Sequence, residues 1–104
     1  MTTTSKIIKI NATFRNTEAT EALKTYAEEK LGNVLKKFVR HDTEAHVELQ
    51  VEKKRQIVEI NFNLEGTNFK NTEESDDMYK TIDQLVDSLT NQLRKHKEKK
   101  TSHH

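Results

Sequence analysis

Two stretches of the chain place apolar residues at helical spacing, and four shorter ones place them in alternation. Between Ser75 and Lys100, Met78, Ile82, Leu85, Val86, Leu89 and Leu93 recur on one face of a 3.6-residue period. Ser75 is expected to cap this helix, with Asp76 and Asp77 placing negative charge at its positive end. At about 1.5 Å per residue it spans roughly 35 Å, so it must be a principal packing element. An earlier helix, capped by Thr17 or Thr20 and ending near Val39, carries Leu23, Tyr26, Ala27, Leu31, Val34, Leu35 and Phe38 at the same spacing. Gly32 weakens that pattern without breaking it.

Alternation marks the strands. Ile8, Ile10 and Ala12 share one side of a first strand over Lys6–Ala12, after which residues 13–16 are expected to turn. Ala45, Val47, Leu49 and Val51 face inward from a second strand, Glu44–Glu52. Lys53-Lys54-Arg55-Gln56 reads as a charged turn, and Val58, Ile60, Phe62 and Leu64 form the inner side of a third strand. Gly66 marks the next turn. A short polar fourth strand, Thr67–Glu73, turns only Phe69 clearly inward, as suits a sheet edge.

The order is therefore β-α-β-β-β-α. Strands two to four each offer one apolar face, and two amphipathic helices each need one to cover. The first strand, returning through a helix, should lie parallel to the second. The expected fold class is α+β: a two-layer sandwich with a four-stranded sheet in the order 1-2-3-4 and both helices on one face. Its 104 residues make one domain, ordered over about 6–98, with Met1–Ser5 loose and a basic tail at 94–104.

Composition narrows the chemistry. With 34% of residues charged and 32% hydrophobic, the core is small and the surface heavily ionised. The absence of cysteine excludes disulfides, thiolate metal sites and a cysteine nucleophile. No apolar run approaches the roughly 18 residues of a membrane span, and no signal-peptide core is present, so the expected compartment is the cytoplasm and no membrane partner is expected. The net charge of +1 gives no global case for nucleic acid, but its distribution is polarised. Residues 94–100 carry five formal positive charges against Glu98, leaving a net −3 on residues 1–93.

Catalytic constellations are scarce. None of His41, His46, His96, His103 and His104 falls at a metal-binding helical spacing, and the terminal pair is set aside as native end or tag. The neighbouring carboxylates Glu28-Glu29, Glu73-Glu74 and Asp76-Asp77 diverge across faces rather than converge. With two glycines there is no phosphate loop. No enzyme activity, cofactor, metal or small-molecule substrate is expected. What remains is placement of charge. Lys24, Lys30, Lys36, Lys37 and Arg40 lie on or beside the first helix, and Arg94, Lys95, Lys97, Lys99 and Lys100 on the second. Side-by-side helices would merge them into a basic strip able to grip RNA phosphates by shape. Tyr26 and Tyr79 fall near core positions, which leaves no stacking platform for single-stranded bases.

Asp77-Met78-Tyr79, Ile82-Asp83, Leu85, Asp87, Leu89, Gln92-Leu93 and Lys95-His96-Lys97 resemble the last helix of the bacterial ribosome hibernation promoting factors. That family also goes by ribosome-associated inhibitor or sigma-54 modulation protein. Thr20-Glu21-Ala22-Leu23, Lys30 and Phe38 resemble its first helix, and Val51-Glu52-Lys53 and Gly66 keep its spacing. The resemblance covers about Ile8 to Lys97 and implies the same β-α-β-β-β-α fold. It implies a non-enzymatic factor that binds ribosomal RNA of the small ribosomal subunit in the mRNA and tRNA decoding channel. Such a factor inhibits translation under stress or in stationary phase, and a part in ribosome dimerisation, in either direction, goes with the family. Lys24, Lys30, Lys95 and Lys97 match its basic residues by position, whereas Asn33, Ser88 and Asn91 stand uncharged where members commonly carry positive charge. The binding expected here is weaker and centred on Arg94 to Lys100. From the residues alone, a protein-interaction module with a basic tail and a general double-stranded-RNA binder stay open.

Overall fold

The computed structural model describes residues 6–101, with side chains described through residue 98. The readings of Met1–Ser5 and of His103-His104, and the side chains of Lys99 and Lys100, lie outside the described residues. In order come β1 (Ile8–Arg15), α1 (Glu21–Phe38), β2 (Thr43–Glu52), β3 (Arg55–Leu64), β4 (Thr67–Ser75) and α2 (Met78–Thr101). The sheet order is β1-β2-β3-β4, with β1 parallel to β2 and the remaining pairs antiparallel. The expected α+β sandwich is thus the observed one.

One face of the sheet is dry. Ala45, Val47 and Leu49 of β2, Val58, Ile60, Phe62 and Leu64 of β3, and Phe69 of β4 are buried. They pack on Leu23, Ala27, Leu31, Val34 and Leu35 of α1 and on Met78, Ile82, Leu85, Leu89 and Leu93 of α2. These are the residues at helical and alternating spacing, so the hydrophobic pattern and the core coincide. Burying an apolar side chain of this size contributes about 1.5–3 kcal/mol.

Four local expectations need correction. β1 runs on to Arg15 because the period of two continues: Phe14 packs on the core, and Arg15 reaches Glu48 at 3.5 Å. Asn16, at φ 58°, then ends the strand in the left-handed region that asparagine tolerates. The charged turn between β2 and β3 holds only Lys53 and Lys54, since Arg55 already pairs with Glu52. Lys53 sits at φ 59°, which costs a non-glycine residue of order 1 kcal/mol.

β4 extends to Ser75, and the helix cap falls to Asp77. Its Oδ1 accepts from the backbone N–H of Tyr79 at 2.8 Å and of Lys80 at 3.3 Å. Ser75 instead bonds Thr81 (2.6 Å), a fully buried hydroxyl that also reaches the carbonyls of Gln56 and Asp77. That network pins the start of α2 to the start of β3. At the other hairpin Glu65 and Gly66 both have positive φ, 52° and 85°, as a tight two-residue β-turn requires. Thr20 caps α1, its hydroxyl accepting from Leu23 N at 3.2 Å.

Candidate nucleic-acid interface

Both helices end at the same edge of the sheet. Lys6, just before β1, donates its Nζ to the carbonyls of Lys36 (2.5 Å) and Val39 (2.6 Å), closing the C-terminus of α1. Near the end of α2, the His96 ring stands edge-on to Phe69 with centroids 5.2 Å apart, and its Nε2 is 3.7 Å from Glu65 at the β3–β4 turn. His96 is therefore turned inward and is not part of the solvent-facing basic run. At the opposite ends Tyr26 donates its hydroxyl to Asp83 Oδ1 at 2.6 Å, tying the early turns of α1 and α2 together. The helices lie parallel.

This arrangement sorts the charge by position. Along α1, Glu21, Glu28 and Glu29 come in the first half with Lys24 among them, and Lys36 and Lys37 come at the end, with Arg40 just beyond it. Along α2, Asp83 and Asp87 precede Arg94, Lys95 and Lys97. Cations near a helix C-terminus are favoured by its dipole, and two parallel helices bring two such ends together. Between them opens a cavity of about 460 Å³. Lys37 lines it from α1 and Arg40 from just beyond, His96 and Lys97 from α2, Lys6 from the chain before β1, and Glu65 from the hairpin.

The ten candidate residues consequently form groups rather than one strip. Lys37, Arg40 and Lys97 meet at the cavity. Lys36 points to the β1 side of α1, beside Ile8, Lys9, Ile10 and Asn33. Lys24 is exposed in the first turn of α1, and the Lys30 ammonium sits 5.4 Å from the centre of the Tyr26 ring. Arg94 bonds Asn91 at 3.2 Å, Lys95 is exposed, and Lys99 and Lys100 are helical in backbone. Of the uncharged positions, Ser88 turns toward the sheet edge, 3.4 Å from Asn71 Nδ2.

Pairing separates the two faces. On the open face of the sheet Arg15 pairs with Glu48, Arg55 with Glu52 and Glu74, and Lys70 with Glu59. The Arg55 guanidinium holds the Glu74 carboxyl below its usual range, and Glu74 in turn raises Arg55. Lys9 at the β1 edge, and Lys53 and Lys54 in the turn between β2 and β3, stand outside these pairs. On the helical layer, by contrast, no carboxylate among the described residues ion-pairs with Lys24, Lys30, Lys36, Lys37, Arg40, Arg94 or Lys95. Seven cations there are free to meet an external anion.

Two contributors escaped the sequence reading. Lys6 was placed in a strand with no role, although a lysine thirty residues before a helix end has no local signal to mark it. Tyr79 was expected near the core but is 42% exposed. Its signal was present: it stands one position off the Met78–Ile82–Leu85–Leu89 stripe. Among the described residues no cluster of His, Asp or Glu could hold a metal, and no helix is long and apolar enough to cross a membrane.

A parallel pair of amphipathic helices covering one face of a four-stranded sheet, with most of the unpaired cations near the helix C-termini, defines a compact two-layer α+β class. Residues 10–101 match the family described as sigma 54 modulation protein / S30EA ribosomal protein. A ribosome hibernation promoting factor of Pseudomonas putida is 38% identical over 95 residues, covering 91% of this chain and 92% of that protein. A ribosomal subunit interface protein from Coxiella burnetii superposes with a TM-score of 0.71 at 30% identity, covering 86% of this chain and 96% of that one. The N-terminal domain of Thermus thermophilus Protein Y gives 0.72 at 32%, covering 88% and 99%. The chain belongs to the sigma 54 modulation protein / S30EA ribosomal protein family.

Proposed function

We propose that this chain is a non-enzymatic ribosome hibernation factor. It lays its helical layer on ribosomal RNA of the small subunit, in the channel that mRNA and tRNA anticodons use, and holds translation off under stress in the cytoplasm. The observation that carries this reading is the asymmetry of pairing. The sheet face largely neutralises its own cations, whereas the helical layer leaves seven unpaired, five of them near the ends of α1 and α2. The names of the relatives point to the ribosome, and its RNA is the polyanion such a surface would meet there. Lys37, Arg40, Arg94, Lys95 and Lys97, continued by Lys99 and Lys100, make the main phosphate contacts, and Lys24, Lys30 and Lys36 make the outlying ones.

Each phosphate neutralised releases counterions and steepens the salt dependence, at roughly 0.7–0.9 in log K per log salt. Co-sedimentation with isolated small subunits tests the reading. Binding at low salt, with competition from tRNA-loaded ribosomes, is expected. A chain that stays in the supernatant at low salt, or that pellets equally well with tRNA bound, contradicts it.

A further inference from the structure

The D-M-Y-x-x-I-D run at the start of α2 is accounted for by packing at every defined position except one. Asp77 caps the helix, Met78 and Ile82 enter the core, and Asp83 holds the Tyr26 hydroxyl. Tyr79 does none of these. It is one of only two large hydrophobic side chains exposed among the described residues, the other being Ile7 ahead of β1. At 42% exposure the Tyr79 ring leaves part of its surface open to a partner.

Its surroundings say what that is. The Tyr26 ring meets Tyr79 edge-on, centroids 4.9 Å apart and planes at 74°. Tyr26 is itself fixed by the 2.6 Å bond to Asp83, which raises its phenol pKa by favouring the neutral hydroxyl. Tyr79 thus rests against a ring held in place by that bond, which lowers the entropy lost on binding a flat partner. The Lys30 ammonium, in no ion pair, also stands over the Tyr26 ring, 5.4 Å from its centre. From there Tyr26, Lys30, Asn33 and Lys37 follow one another at i, i+4, i+7 and i+11 along α1, about 16 Å of helix leading to the basic cavity. An exposed ring with cations leading away from it is the pattern that takes an unstacked base and the phosphates following it.

We propose that Tyr79, backed by Tyr26, is a stacking platform for one unpaired RNA base, with Lys30 holding a flanking phosphate. The inference deepens the ribosomal RNA reading above and rests on it. Lys30 and Lys37 beyond the ring favour a nucleic-acid partner over an apolar protein surface.

Tyr79→Leu and Tyr79→Phe distinguish stacking from packing. Binding to small subunits should weaken roughly ten- to hundredfold for Tyr79→Leu, with an unchanged salt slope, since stacking is not a counterion effect. Tyr79→Phe keeps the ring and should bind as the wild type does. Lys30→Gln should instead lower the slope by roughly one unit. In the wild-type chain, a short single-stranded RNA should shift the Tyr79 ring protons upfield, a readout that holds even if Tyr79→Leu folds poorly. Wild-type affinity in Tyr79→Leu, or a Tyr79→Phe variant as weak as Tyr79→Leu, or no ring shift at saturating RNA, would overturn the platform alone. Failure of the wild-type chain to bind subunits overturns the ribosomal reading and the platform with it.

Discussion

The two faces of this molecule both carry cations and use them differently. Across the open sheet, neighbouring strands set opposite charges side by side, so Arg55 and Glu74, or Lys70 and Glu59, satisfy each other. On the helical layer most carboxylates lie early in each helix and most cations late, so few meet, Lys80 and Asp76 at 3.9 Å being one pair that does. The first arrangement lowers the field of a face, and the second builds one. Net charge hides this completely, because the two ends of the helical layer nearly cancel. Where the cations are, and whether something already holds them, decides what a face can bind.

The comparison implies that stability and binding reside in different residues, and substitutions should separate them. The largest effect on stability belongs to the core under the helices. Leu85→Ala, at a fully buried position, should cost about 2–5 kcal/mol in denaturant unfolding. Replacing Lys37 or Lys95 with glutamine should leave the unfolding midpoint within experimental scatter while weakening subunit binding. Next comes the helix that carries both functions. Asp77→Ala removes the acceptor for two backbone N–H groups at the start of α2 and should cost about 0.5–2 kcal/mol.

A gain is expected at Gly32. It is buried inside α1, and a Cβ built there meets only Ile10, at an ordinary 4.0 Å. Gly32→Ala should therefore stabilise by about 0.5–1 kcal/mol without touching the charged surface.

The smallest effects sharpen the contrast by pH. Tyr26 has a folded pKa raised above 10.0, chiefly by its bond to Asp83. Its contribution is present below the unfolded value and is lost as pH rises through the folded one. Glu74 lies the other way: lowered by Arg55 from 4.5, it contributes above the unfolded value and is lost as pH falls through the folded one. Alkali should thus loosen the contact between the helices, and acid the pairing across β3 and β4. Tyr26→Phe should abolish the first dependence and Arg55→Gln the second, as followed by thermal melts across pH.

Much of this was legible in the residues because a buried face leaves a periodic trace. Leu31, Leu35, Ile82, Leu89 and Ile60 were all placed by spacing alone, and element order then left few topologies for the sheet. What could not be read was tertiary. The shift of the cap from Ser75 to Asp77 depends on Thr81 claiming the serine hydroxyl from six residues away. The inward turn of His96 depends on Phe69 and Glu65 of another element. The division of one supposed basic strip into a cavity group and outlying lysines depends on how the two helices meet. Pairing is invisible to composition, since Lys70 and Lys37 look alike until Glu59 is found beside the first.

The salt dependence of small-subunit binding tests the central claim most directly. Measured for the wild type, for Lys37→Gln/Arg40→Gln/Lys95→Gln and for Arg15→Gln/Lys70→Gln, it compares the two faces on one axis. The helical triple should flatten the slope by roughly two to three units and bind on the order of a hundredfold more weakly at about 0.1 M salt, with the sheet double indistinguishable from wild type. Equal slopes for the wild type and the helical triple, or an equal loss from the sheet double, would contradict it.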